Sequence, residues 1–282
     1  MNPHADENLS LCESFIRSLE AKRYRPNTIR SYRNGLKHYL ADLNSYNLSV
    51  KEVRPPDLMR ISENWLDLPT NSYNHRLSQV RRFHEWLVML GEQTVNPVLS
   101  GFYARPERIA KEIMTKKDDE QILINASYKP IRINLAVRLM RYTGVRVSEL
   151  QTILKSSIQH YDNGSTLQID AHKFSKSRIV VLQDPITIQL LKIYLRDHHV
   201  FGKYLSLPTP TTLAWFFQSV EDRLSFAVRS HDLRRFYATE LAKDGVPVPI
   251  ISRLLGHENI STTENYIIIK NADIFEHFGL IK

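Results

Sequence analysis

The residues best suited to chemistry lie in the C-terminal part of the chain. They are of types that bind, polarise or attack a negatively charged group. The stretch Leu255-Gly-His-Glu-Asn-Ile-Ser-Thr-Thr-Glu-Asn-Tyr266 places a histidine and a tyrosine near two helix ends. Pro247 to Leu255 reads as a short helix, and Gly256 stops it, because the position after a helix is often left-handed and glycine takes that conformation without strain. Ser261-Thr-Thr-Glu264 is a capping-box pattern that starts another helix, with Tyr266 in its first turns. His257 is either a capping residue or a functional donor; Tyr266 is either a half-buried helix residue or a nucleophile. Upstream, Arg146 follows the break Thr143-Gly144, and Glu149 lies on the same face where it can accept from the guanidinium. That pair is either a structural ion pair or an arginine held so that its fork points at a phosphate. His231 and Arg234 are one turn apart at the start of a helix opened by Ser230, the expected N-cap; free N–H groups and the helix dipole favour an anion there. Lys173 and Lys176 occupy the tip of a hairpin between Thr166–Asp170 and Arg178–Leu182. A tip lysine is either solvated or able to reach a groove and deliver a proton.

The elements that must position these groups follow from periodicity. Residues 115–126 and 130–142 read as helices, the second apolar over much of its surface and therefore central. Val145 to Leu150 reads as a restarted helix. Residues 185–199, 211–224 and 230–244 are further helices, and Ile274, Phe275, Phe278 and Ile281 mark an amphipathic tail helix at about 273–281. The N-terminal 100 residues read as four helices, over 8–21, 26–43, 55–66 and 70–90, a compact bundle with nothing catalytic in it. Arg30, Arg33 and Lys37 form a basic stripe on the second helix, and Arg76, Arg81 and Arg82 lie on or beside the exposed side of the fourth. These are either solvated faces or phosphate contacts, which position a nucleic acid without reading it. Residues 101–112 read as a linker. The expected architecture is an all-α four-helix N-terminal domain (1–100) and a mainly α C-terminal domain (113–282) with a small β-sheet or hairpin.

Composition narrows the partner. The chain has 282 residues, a formal net charge of +8 and a pI near 9.5, which favours a polyanion, nucleic acid first. The excess is shared: 15 Lys+Arg against 12 Asp+Glu in residues 1–110, and 23 against 18 in the remainder, so neither part is a mere basic tail. Cys12 is the only cysteine, which excludes an internal disulfide and a cysteine zinc site and fits a reducing cytoplasm. No apolar leader or run of 18 apolar residues is present, so neither secretion nor a membrane span is expected.

Taken together in chain order, Tyr142-Thr-Gly-Val-Arg146-Val-Ser-Glu-Leu150, Lys173, His231-Asp-Leu-Arg234, Leu254-Leu-Gly-His257 and Tyr266, nine residues later, resemble the tyrosine recombinase (phage integrase) family, most closely its Xer-type branch. Asn27-Thr-Ile-Arg-Ser-Tyr32 and the helices around it look like that family's core-binding domain. The resemblance implies a catalytic set of Arg146, Lys173, His231, Arg234, His257 and Tyr266. Tyr266 would form a 3′-phosphotyrosyl bond, Lys173 would protonate the departing 5′ oxygen, His231 would act as acid/base, and His257 would donate to a phosphoryl oxygen. It implies no metal, ATP or other cofactor. Arg30, Arg33, Lys37, Arg76, Arg81, Arg82 and Lys176 would contact DNA. The two domains would clamp double-stranded DNA, four identical subunits would act on two sites, and the tail helix would dock on a neighbouring subunit. Xer-like resolution of chromosome or plasmid dimers, in the cytoplasm and associated with the nucleoid, is the expected role; the alternatives are a mobile-element integrase or excisionase, a topoisomerase-like nicking and closing enzyme, and an inactive architectural DNA binder. Where the family often has a His-Thr pair after the second arginine, this chain has Arg235-Phe236, which is expected to pack.

Overall fold

The computed structural model describes residues 2–105, 114–170, 177–197 and 202–257. The chain divides into two compact units, 1–110 and 111–282.

The first unit is built from α1 (Ala5–Ala21), α2 (Pro26–Ser45), α3 (Pro55–Glu63) and α4 (Thr70–Met89). Proline at the first position of α2 and α3 costs no hydrogen bond, because that N–H has no intrahelical partner. The apolar stripes meet in one core of Phe15, Ile16, Leu36, Tyr39, Leu77, Phe83 and their neighbours. The third helix stops at Glu63, three residues short of the expected Leu66. Asn64, Trp65 and Leu66 instead make successive i→i+3 backbone bonds. That tightening swings buried Trp65 so that its indole N–H donates to Asp42 Oδ2 at 2.7 Å.

A polar chain runs through this core. Gln93 Nε2 donates to the Val53 carbonyl at 3.0 Å, so its Oε1 accepts from His84 Nδ1 at 2.7 Å. His84 Nε2 therefore accepts from the Tyr39 hydroxyl at 2.7 Å. Burial drives the His84 pKa down to about 4, which keeps the ring neutral.

The second unit centres on α6 (Ile131–Thr143). Around it pack α5 (Lys116–Ser127), α7 (Pro185–Asp197) and α9 (Ser230–Lys243); α8 (Pro210–Gln218) and α10 (Val248–Leu255) in turn pack on α9. An antiparallel sheet of β1 (Ile158–Tyr161), β2 (Gly164–Ile169) and β3 (Arg178–Leu182) lies against α6 and α10 through β3. Its register pairs Ile158 with Leu167 and Ile169 with Arg178. Strand β1 was not expected; three of its four residues are exposed, so it shows no apolar alternation.

Three local expectations are corrected. Residues 145–150 do not restart a helix. They form a turn, in which the Glu149 carboxylate accepts the Arg146 N–H at 2.7 Å, followed by a 3₁₀ segment, Leu150–Thr152. Helix α8 stops at Gln218, and Glu221–Arg223 form a separate 3₁₀ turn. The N-cap position of α9 is Arg229, not Ser230; the Asp232 carboxylate caps the helix by accepting the Arg229 N–H at 2.9 Å. Phe236 packs as expected, 5% exposed in the core. Among the described residues no helix is long and apolar enough to cross a membrane.

Replacing Tyr39 by Phe removes the donor to His84 Nε2 and leaves a buried acceptor unsatisfied. The expected loss is about 1–3 kcal/mol, read as a lower urea midpoint for the first unit with its denaturant slope unchanged.

Candidate active site

The site of the second unit is assembled at the C-terminus of α10. A helix end leaves four carbonyls without intrahelical partners. Gly256, at φ +68°, turns the chain so that its own N–H reaches the Arg253 carbonyl and the His257 N–H reaches the Ser252 carbonyl, both at 3.1 Å. The other two carbonyls are taken by side chains from elsewhere. Arg178 Nε donates to Leu254 O at 2.7 Å, and Arg234 Nη2 donates to Leu255 O at 2.5 Å. Guanidinium groups suit this place, because the helix dipole is negative there.

Arg234 is 1% exposed, projecting from α9 into the interior. Its Nη1 donates to the Gly144 carbonyl at 2.6 Å, which joins the end of α6 to the end of α10. Gly144 has φ +64°, and a Cβ there would lie 2.5 Å from Tyr237 Cδ1. No larger residue fits that bend. Arg234 Nη2 also lies 3.0 Å from His257 Nε2. Arginine has only donors, so Nε2 accepts and the ring proton sits on Nδ1. Burial, and then the charges of Arg234, Arg146 and Arg178, lower the His257 pKa to about 3. The imidazole is neutral at physiological pH and presents an N–H donor.

Arg146 leaves the 145–149 turn with its side chain 16% exposed, and its Nη1 donates to Glu149 Oε1 at 3.1 Å. The expected Arg146–Glu149 contact is therefore present. Glu149 is fully buried and receives a second guanidinium, that of Arg178. Burial alone would raise its pKa; the hydrogen bonds and charge of Arg178, with the Arg146 N–H, hold it at about 2. Arg178 was not anticipated as part of this cluster. Its signal was present in the strand parity: Arg178, Val180 and Leu182 are the inward positions of β3, and a charged residue on that side requires a buried partner.

Arg146, Arg234 and His257 thus converge. His231, at the second position of α9, is exposed. Lys173, Lys176 and Tyr266, like the tail helix at 273–281, lie outside the described residues. Beside the cluster an open groove of about 1060 Å³ runs between β3 and α10, with Gln168, Ile179, Ile250, Arg253 and His257 in its lining.

In the first unit, Arg30 and Lys37 are exposed. Arg33 pairs with Glu13 at 2.6 Å, and Arg81 and Arg82 both pair with Glu85. The Arg76 guanidinium lies over Trp65, 5.4 Å from the ring centroid. Exposed pairs of this kind contribute about 0–1 kcal/mol and give way readily to a stronger anion. Between α2 and α4, Ser31, His75 and Gln79 form a hydrogen-bonded cluster in an open groove of about 610 Å³.

The sequence pattern of the phage integrase family matches residues 112–272, and that of the phage integrase N-terminal SAM-like domain matches residues 12–91. Tyrosine recombinase XerC of Staphylococcus aureus (strain JH9) is 25% identical over 284 residues, covering 93% of both chains. Among solved structures, a lambda integrase dimer bound to a COC′ core site aligns with a TM-score of 0.74 at 17% identity, over 91% of this chain and 76% of that one. The XerH site-specific recombinase bound to a palindromic difH substrate aligns at 0.70 and 15% identity, over 97% and 83%. At such identities these two likenesses establish the fold.

Because the His257 pKa is depressed when folded, protons bind the unfolded chain first as pH falls below about 6.5. Stability is lost from there downward, toward pH 3. Between pH 7 and 5 the wild type is expected to lose about 1–2 kcal/mol more than His257→Gln, measured by urea unfolding of each chain at both pH values.

Proposed function

We propose that this chain, which belongs to the phage integrase family, is a site-specific recombinase that cuts and rejoins double-stranded DNA through a covalent tyrosine intermediate. The observation that supports this reading is the grouping of Arg146, Arg234 and His257 around the end of α10, with Arg234 3.0 Å from His257 and Arg146 tied to the same end through Glu149 and Arg178. A phosphodiester under attack gathers charge on its non-bridging oxygens, and pre-placed donors in a sheltered site stabilise that charge without reorganising.

In the proposed reaction the Tyr266 oxygen attacks the phosphorus. The bond to the 5′ oxygen breaks, and that oxygen leaves as a hydroxyl with a proton from Lys173. Tyrosine is a weak nucleophile near neutrality, since its ordinary pKa is about 10, and His231 removes its proton. Arg146 and Arg234 hold the phosphoryl oxygens, and His257 donates through Nδ1–H. The phosphotyrosyl bond conserves the energy of the broken diester. A 5′ hydroxyl of the partner strand reverses the step, so the cycle consumes no ATP and, with cationic side chains supplying the charge, calls for no metal ion.

The first unit contributes DNA contacts through Arg30, Arg33, Lys37, Arg76, Arg81 and Arg82, with Lys176 adding one from the second unit; residues 101–112 connect the units. The assembly proposed here is four subunits on two DNA sites, with the tail at 273–281 docking on a neighbouring subunit, and the proposed role is Xer-like dimer resolution in the cytoplasm. The likeness in fold to lambda integrase keeps integration or excision of a mobile element as the second reading.

The test is covalent trapping. Incubated with nicked fragments of host DNA, in EDTA and without ATP, the protein is expected to give an SDS-resistant DNA adduct that Tyr266→Phe abolishes. Arg234→Ala should slow adduct formation by about 10²–10³-fold, the loss typical of one oxyanion donor. Salt-dependent binding at a defined site with no adduct would instead indicate an architectural DNA binder.

A further inference from the structure

Arg178 lies outside the six residues assigned to the reaction, and it touches the supports of two of them. Its side chain is 3% exposed. Its fork meets Glu149 through two parallel bonds, Nη1 to Oε1 at 3.0 Å and Nη2 to Oε2 at 2.8 Å. The same carboxylate accepts Arg146 Nη1 on Oε1 and the Arg146 N–H on Oε2. Each oxygen thus serves one donor from Arg178 and one from Arg146. The third nitrogen of Arg178, Nε, holds the Leu254 carbonyl three residues before His257. At Gly256, between them, an added Cβ would fall 2.8 Å from Arg178 Cδ. The backbone leading to His257 therefore rests directly on the arginine.

We propose that Arg178 is a positioning residue of the phosphate-binding cluster: one guanidinium fixes the Glu149 carboxylate that orients Arg146 and the end of α10 that orients His257. This rests on the catalytic reading given above. Lysine cannot replace it, because an ammonium is a point donor without a planar fork and cannot span the carboxylate and a carbonyl on another element. Without the fork, a fully buried carboxylate loses both donors from Arg178. Burial then favours its protonated form, which no longer accepts from Arg146 on both oxygens. The charged groups facing Glu149 are Arg146 on its own turn, Arg178 on β3 and Arg234 on α9, with the neutral His257 after α10.

The test uses the full chain and a nicked DNA substrate on which wild type forms adduct. Three quantities are read for wild type, Arg178→Lys, Arg178→Met, Glu149→Gln and Arg178→Met combined with Glu149→Gln: DNA affinity, single-turnover adduct rate across pH 5–9, and melting temperature. Outer partners of metal ligands typically contribute about 10–100-fold, and a rate loss of that order is expected in Arg178→Lys and Arg178→Met at unchanged DNA affinity. The Arg178→Met rate should also recover as pH rises and Glu149 ionises, so that its acid limb moves to higher pH. The double variant should be no slower than the slower of its two component single variants, since both act through one contact. A wild-type rate in folded Arg178→Lys, or losses that multiply in the double variant, would overturn the proposal. Should Arg178→Met not fold, Arg178→Lys alone decides. Absence of adduct with wild type would instead defeat the catalytic reading itself. A melting temperature that falls while rate and acid limb stay put would make Arg178 merely structural.

Discussion

The end of one eight-residue helix governs the second unit. Helix α10 cannot satisfy its own last turn. Two of its terminal carbonyls are closed by the backbone N–H groups of Gly256 and His257, and the other two by arginines from β3 and α9. Those same arginines reach onward, one to buried Glu149 and one to the end of α6 and to His257. An unpaired charge at that depth would be prohibitive. The carbonyls and the single carboxylate make the burial of Arg178 and Arg234 tolerable. In return the arginines hold four separate pieces of chain at one point. A cationic pocket made this way is stiff, and stiffness is what a transition state with spreading negative charge requires of its donors.

Much of this was legible before any coordinates. The helix stops at Gly144 and Gly256 were readable, because a left-handed break after an apolar run has few other solutions. The Arg146–Glu149 contact followed from three-residue spacing. What spacing could not reveal was the third member. Arg178 is 29 residues from Glu149 and 76 from Leu254, and no local period links such distances. Local propensity also allowed a helix over 145–150, where the chain instead makes a turn that sets Glu149 against the distant Arg178. Strand β1 escaped notice because its side chains face solvent and the sheet, not the helices, gives it order.

In the first unit the amphipathic stripes specified four helices well, with α3 overextended by three residues. The basic stripe on α2 was visible too, but not that Arg33 spends its charge on Glu13 of α1. The polar chain from Tyr39 through His84 and Gln93 to Val53 leaves no mark in the helical period, which sorts side chains only into inward and outward. Leucine-like shapes in a bundle can slide past one another; a buried chain of matched donors and acceptors admits one setting of α2 against α4.

The long reach of the two arginines also fixes an order of events during synthesis. Chains leave the ribosome at about 5–20 residues per second, so the turn bearing Gly144 and Arg146 emerges roughly 6–20 s before His257. Through that interval Arg178 and Glu149 can already meet, while the Gly144 carbonyl waits for Arg234 and both arginines wait for the carbonyls of α10. The sheet and α6 must stand without the last piece. A nascent chain stalled or clipped before residue 255 therefore carries the sheet and α6 but an unfinished arginine cluster, so the proposed hold on a phosphate would arrive late and all at once.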